Sequence, residues 1–330
     1  MPNRVIRPLL LVFAALALAS CNPPQQPSND LVFVSNEGSN QVTILDGATG
    51  RIEGALATGK RPRGMGLSPD RETLYVAASD SNRIETWDIA SRTMTRMLHS
   101  GADPERFAIS PDGKTIYVAN EDNSLISFLD IATDKVTHEV KVGAEPEGVG
   151  VSPDGKLLVT TSETTSTGHF IDTANGEMLD SAPVGTRPRY VLFLDGGKTV
   201  WISSEQRGTI SIFGAATHKP IGTIDLVQQI DTDKPVQAVE MAATRDERRA
   251  FVGMGRTNMV AEIDPRTRRL ARTFPTGERT WSVALSPDET RLYAVSGISG
   301  TLTIIDLQRN KVRQTVKLPG RPWGAIAVAR

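Results

Sequence analysis

The chain has 330 residues, 39% of them hydrophobic and 23% charged, with a formal net charge of −1. These are ordinary values for a globular protein with a sizeable core, and they exclude a disordered or collagen-like chain. A charge so close to zero gives no reason to expect nucleic acid or an anionic membrane surface as partner.

Residues 1–20 read as a secretory signal. Arg4 and Arg7 precede an apolar run, Leu9 to Ala19, that is shorter than the roughly 20 residues a bilayer span needs. Cys21, the only cysteine, stands directly behind Leu18-Ala19-Ser20. This resembles the bacterial lipoprotein signal and predicts lipidation of Cys21, which places the protein in the periplasm, tethered to a membrane by a lipid anchor only. With that cysteine committed, no disulfide, CxxC zinc site or CxxCH haem attachment is available. Residues 21–30 continue as Asn22-Pro23-Pro24-Gln25-Gln26-Pro27, a polar, proline-rich linker.

From residue 31 to 330 the chain repeats. A shift of 42 residues superposes Pro62, Pro104, Pro146 and Pro188, and also Asp46, Asp88, Asp130 and Asp172. The register slips by eight residues and resumes with Asp264 and Asp306. Units begin at Leu31, Thr73, Thr115, Leu157, Thr199, Arg249 and Arg291. A period of about 40–45 residues carrying four short β-runs is that of a propeller blade, whose single sheet cannot bury both its faces alone. The expected fold is all-β: a monomeric seven-bladed β-propeller of four-stranded antiparallel blades.

Within the third unit the runs are Thr115 to Asn120, Ser124 to Asp130, Lys135 to Val142 and Gly148 to Ser152. Ser-Pro-Asp-Gly at 110–113 and 152–155 supplies turn chemistry: proline presets φ and glycine allows positive φ. The Asp130 column recurs as six aspartates, one to a blade, so it predicts Asx-type turns rather than catalysis. The last unit ends in an innermost-strand sequence and the first lacks one, which predicts that 323–328 pairs beside Leu31 to Ser35 and closes the ring. Small residues at Gly64, Gly66, Gly148 and Gly150 mark close backbone approach near the axis.

The positions that differ between blades fall at the start of each inner strand and at the end of the next one, which antiparallel pairing brings to a common face. There the sequence gathers Arg61, Arg63, Asp103, Glu105, Glu121, Glu145, Glu147, Glu163, Arg187, Arg189, Glu205, Arg279, Trp281, Arg321 and Trp323 as a candidate ligand- or partner-binding mouth. One arc is acidic, with flanking arginines suited to inter-blade pairs such as Arg63 with Glu105 and Glu147 with Arg189. The other is aromatic and basic and suits a small, flat anionic ligand. The surplus of carboxylates would admit a cation, Ca²⁺ for instance, if several side chains leaned inwards. An insertion at Gln228 to Lys234 precedes an inner strand and is expected to form a lid or docking loop. The four histidines occupy unrelated positions in their units, with His169 the one in an irregular setting. No GxSxG, P-loop or HExxH pattern occurs.

The segments TIYVAN, VSPDGK and LDIATDKV resemble the YVTN-type β-propeller repeat family across all seven units. Asp103-Pro104-Glu105, Glu145-Pro146-Glu147-Gly148, Thr161-Ser162-Glu163 and Arg187-Pro188-Arg189 resemble its subgroup associated with PQQ-dependent catabolism. That resemblance implies a periplasmic role beside quinoprotein alcohol oxidation, with a quinoprotein dehydrogenase or cytochrome c as partner and a quinone as an occupant. It carries over no catalytic residue. The function expected is therefore a non-enzymatic accessory or binding lipoprotein. The alternative is a lactonase-like hydrolase using the carboxylates of the same mouth.

Overall fold

The computed structural model describes residues 29–330. The signal-like segment, Cys21 and nearly all of the linker lie outside the described residues. The rest folds into seven four-stranded antiparallel sheets, numbered here as blades 1 to 7. The inner strands of blades 2 to 7 are Pro62–Leu67, Pro104–Ile109, Pro146–Val151, Pro188–Leu194, Met241–Ala243 and Thr280–Leu285. Blade 1 takes its inner strand from the C-terminus: Pro322–Ala329 lies against Asp30–Asn36, followed outwards by Gln41–Asp46 and Ile52–Ala57.

The closing register runs from Asp30 opposite Ala329 to Val34 opposite Ala325. Beyond the ladder, Arg330 reaches Asp46 at 3.0 Å and Glu53 at 2.8 Å. Asp30 accepts hydrogen bonds from the Tyr293 hydroxyl at 2.5 Å and Arg291 at 2.9 Å, which ties blade 1 to blade 7.

Hydrophobic clusters lie between neighbouring blades. Leu31, Phe33, Val42, Ile44 and Leu56 of blade 1 pack against Leu74, Val76 and Trp87 of blade 2. Each fully buried side chain of this size contributes roughly 1.5–3 kcal/mol. The apolar middle strands supply both faces, while outermost strands such as Lys135–Lys141 are exposed along most of their length.

The aspartate column is structural, as the repeat requires. Asp46 Oδ1 accepts the backbone N–H of Thr49 at 2.8 Å, and Asp130 and Asp306 do the same for Thr133 and Arg309. The axial glycines are also explained by geometry. A Cβ on Gly64 would lie 2.6 Å from the carbonyl oxygen of Glu105, and one on Gly148 would lie 3.1 Å from the backbone nitrogen of Tyr190.

Candidate functional site

Five of the seven inner strands are entered through a residue in the left-handed region: Arg61 (φ 54°), Asp103 (48°), Glu145 (55°), Arg187 (58°) and Arg279 (60°). That conformation costs a non-glycine residue about 1–2 kcal/mol, and backbone hydrogen bonds hold it. The carbonyls of these five accept N–H groups from Ser79, Glu121, Glu163, Glu205 and Gly297 at 2.8–3.1 Å. The amides of Arg61, Asp103 and Arg279 donate to Asn40, Asn82 and Asn258 of the preceding blade at 3.0, 2.9 and 3.0 Å. The two variable columns are thus fastened to one another blade by blade.

A β-bulge follows at once. Pro104 pairs with Asn120 but Phe107 pairs with Val118, and the same irregularity recurs after Pro62, Pro146, Pro188, Thr280 and Pro322. Bulges re-aim side chains. Here two consecutive residues, such as Glu105 and Arg106, both reach the channel.

The mouth is a cavity of about 520 Å³ lined by Arg61, Arg63, Glu121, Glu147, Glu163, Arg187, Arg189, Arg279, Trp281, Arg321 and Trp323, together with Glu37. Glu105, fully buried, receives Arg61 at 2.8 Å and Arg63 in a shorter contact. Arg61 also meets Asp103 at 3.0 Å, and Arg63 meets Glu37 at 3.1 Å. Glu147 faces Arg189 at 3.1 Å, and Glu163 engages both Arg189 and, at 2.8 Å, Arg187. Buried Glu205 lies 3.3 Å from Arg187 and 3.3 Å from Arg279. The anticipated pairs Arg63 with Glu105 and Glu147 with Arg189 are present. Trp281 lies between the guanidiniums of Arg279 and Arg189, 4.2 and 5.3 Å from its ring centre.

Sequence reasoning missed the floor. Arg106 crosses the bore from blade 3 to Glu240 of blade 6, with Nη2 and Oε2 at 2.8 Å. Its guanidinium stacks on Trp323 at 4.4 Å and on Tyr190 at 5.1 Å and stands 3.8 Å from Glu147. Below it a second chamber, lined by Met65, Leu67, Phe107, Leu192 and Met241 among others, opens towards the other end of the channel. The signal was in the next column of the repeat, where Gly64, Gly148, Ser282 and Gly324 are small but Arg106, Tyr190 and Glu240 are not.

Burial opposes the charge on Arg106, yet Glu240 and Glu147 outweigh it and keep the guanidinium more firmly protonated than usual. The same balance holds Arg63 above its usual range, through Glu105, Glu147 and Glu37. Glu121 behaves differently. Half-buried and open to the cavity, it is raised by burial first; a hydrogen bond with Glu105 works the other way, and Glu147 and Asp103 add to the rise. Burial raises Glu105 as well. Arg63 and Arg61 work against that rise at Glu105.

Asp103, Glu105 and Glu121 bring carboxylate oxygens within 4.8 Å of one another. Arg61 and Arg63 already occupy the Asp103 and Glu105 oxygens. Ca²⁺ takes six to eight oxygen ligands. With those oxygens engaged by guanidiniums, the donors left here are too few to fit it.

Two expectations are corrected, and the irregular setting of His169 is explained. Glu145 does not line the mouth: it is exposed and accepts a hydrogen bond from Thr164 at 2.6 Å. The insertion is not a lid, since Ile230 is buried in the core between blades 5 and 6 together with Leu226, and Gln229 accepts the backbone N–H of Leu270 on the outermost strand of blade 6. His169 is no ligand. It bonds Ser162 at 3.0 Å and Ser181 at 2.9 Å, and burial depresses it to about 4. The His169–Ser162 pair stands where Ser127 and Asn120 pair in the preceding blade.

No family model matches the chain, and no curated protein matches it in sequence. Its structure is similar to the periplasmic gluconolactonase of Pseudomonas aeruginosa, with a TM-score of 0.76 at 21% identity over 91% of this chain and 99% of that one. It is also similar to a protein of Bacteroides fragilis provisionally assigned as a 6-phosphogluconolactonase, with a TM-score of 0.75 at 18% identity over 93% of this chain and 100% of that one. Hydrazine synthase of Kuenenia stuttgartiensis shares the fold with a TM-score of 0.70 at 20% identity, over 80% of this chain and 88% of that one. Likeness at this level of identity establishes a seven-bladed propeller and nothing finer. The expectation of a non-enzymatic accessory of quinoprotein alcohol oxidation is corrected on these neighbours: the propellers that match nearly the whole chain are ones named as lactonases.

Proposed function

We propose that the protein is a lactone hydrolase whose active site is the arginine-rich mouth. The observation that carries this reading is Glu121, a cavity-facing carboxyl of raised pKa that is hydrogen-bonded to Glu105 among guanidiniums. A carboxyl poised nearer neutrality is a better general base than an ordinary one, and fixed guanidiniums stabilise a developing oxyanion without reorganising. The similarity to a gluconolactonase along nearly all of the chain supports the same chemistry.

In this reading Glu121 removes a proton from water as the water oxygen attacks the lactone carbonyl carbon. Negative charge gathers on the carbonyl oxygen and is met by the guanidiniums of the rim. The ring C–O bond then breaks, and the departing alkoxide takes the proton back from Glu121. One lactone and one water give one hydroxy acid. We propose also that residues 1–20 direct export and that Cys21 carries lipid, which would set this hydrolase in the periplasm.

Proton release from glucono-δ-lactone, followed with and without enzyme, tests the activity. Turnover well above the spontaneous rate is expected, falling about 10²- to 10⁴-fold in Glu121→Gln. A parent rate equal to the spontaneous one, or an undiminished Glu121→Gln, would overturn the assignment.

A further inference from the structure

The second-strand column that gives Glu37, Glu121, Glu163 and Glu205 in blades 1, 3, 4 and 5 gives Gly255 and Gly297 in blades 6 and 7. Blade 7 therefore presents Arg279 without a carboxylate of its own in that column, and blade 6, with Gln237 and Val239 at its rim positions, adds none. Gly297 is needed for another reason as well: a Cβ there would lie 2.7 Å from Cδ1 and Nε1 of Trp281.

The result is a local excess of positive charge. Arg187, Arg189 and Arg279 share Glu205, and Arg187 and Arg189 share Glu163 as well. Glu147, the third acid within reach of Arg189, also faces Arg106. Both ion pairs of Arg187 run through Nε, and 40% of its side chain is exposed, so its terminal nitrogens remain for a ligand. Trp281 holds Arg279 and Arg189 against its ring. Arg279 is less firmly protonated than an ordinary arginine: burial disfavours its charge, Glu205 favours it, and Arg256, Arg189 and Arg187 repel it.

We infer that the corner formed by Arg187, Arg189 and Arg279 beside Trp281 seats an anionic group on the substrate, a phosphate or a carboxylate distant from the lactone carbonyl. This rests on the hydrolase reading for the word substrate, but the anion site itself does not. An anion here supplies the missing countercharge and engages planar guanidinium donors that the tryptophan has already oriented. The acidic pair Glu105 and Glu121 belongs to blade 3, so charge at one pole fixes the ligand's direction.

The test is calorimetric titration of the full chain at low salt with three hydroxy acids: gluconate, 6-phosphogluconate and glucarate. At least one dianion is expected to bind about tenfold or more tighter than gluconate, which is what one charge-assisted contact supplies. A preference for 6-phosphogluconate identifies a phosphate seat, and a preference for glucarate a carboxylate seat. Arg279→Gln should abolish the preference while gluconate still binds. Should that variant fail to fold, the three affinities of the parent protein decide. Equal affinities, or a preference that survives in a folded Arg279→Gln, would overturn the inference. If discrimination is found but no lactone is hydrolysed, the hydrolase reading falls and the anion site stands. If neutral and anionic lactones are hydrolysed with equal kcat/KM, the anion site falls and the hydrolase stands.

Discussion

The Arg106 guanidinium meets the Glu240 carboxylate across the bore of the ring at 2.8 Å, although 134 residues separate the two in sequence. Both side chains are almost wholly buried. Two opposed blades are thereby joined through the axis, and the channel is divided into a polar mouth and a lower chamber of mixed polarity. Breaking such a pair from one side leaves an uncompensated buried charge and costs about 3–5 kcal/mol, whereas replacing both partners with apolar groups is often close to neutral. Urea unfolding should accordingly show Arg106→Met strongly destabilised and Arg106→Met with Glu240→Leu restored most of the way. A double variant as unstable as the single one would show that Arg106 acts through its stacking on Trp323 and Tyr190 instead.

Glu121 links pH to both rate and stability. Its folded pKa lies above the ordinary carboxylate value because it is buried near other acids. The folded protein therefore holds a proton that the unfolded chain has lost, and stability falls as pH rises through the window between the two values. Hydrolysis should show the opposite slope there, rising with pH as the base form appears. Glu121→Gln should flatten the rate profile and raise the melting temperature by about 1 °C or more at pH 7, with no gain below the unfolded carboxylate value. Melting curves across pH 3–8 for parent and variant check both signs.

How much of this was legible follows from what repeats and what does not. The ring, its count of blades and the pairing of the C-terminal strand with Leu31 to Ser35 come from spacing, because identical units must solve the same packing problem. The rim was legible for a related reason: Arg63, Glu105, Glu147 and Arg189 break a pattern at one shared position. Arg106 escaped because strict alternation would turn it away from the channel, and only the bulge after Pro104 brings it in. Glu145 was misplaced because its carboxylate is held by Thr164 outside the mouth, although Arg61, Arg187 and Arg279 share its left-handed backbone and line the cavity. The buried insertion escaped too, because Leu226 and Ile230 read as part of a polar loop until the gap between blades 5 and 6 is known.

Close approach at the axis separates two kinds of glycine. Alanine at Gly64 would drive its Cβ to within 2.6 Å of a backbone oxygen in the neighbouring inner strand, so the strand carrying Glu105 and Arg106 has to move. Gly196 has φ of 61° but nothing within 4 Å of a would-be Cβ. Gly64→Ala should cost about 1–3 kcal/mol through overpacking and should also weaken ligand binding at the mouth. Gly196→Ala should cost only the backbone term of about 1–2 kcal/mol and leave binding unchanged. Parallel denaturation and titration of the two variants distinguish crowding from conformation.

The closing strand makes the sharpest demand on the fold. Asp30–Asn36 is buried along its whole length, and one of its two edges is covered only by Pro322–Ala329. Removing residues 319–330 uncovers that edge, takes away Trp323, the floor on which Arg63 and Arg106 rest, and deletes the ties from Arg330 to Asp46 and Glu53. An uncovered apolar strand edge is a template for pairing with another chain. The truncated protein should therefore lose its single cooperative melting transition and self-associate on size exclusion. A synthetic peptide of residues 319–330 should restore both the transition and the monomer. A truncated chain that melts cooperatively at the parent temperature would mean that six complete blades and one incomplete blade hold together without closure.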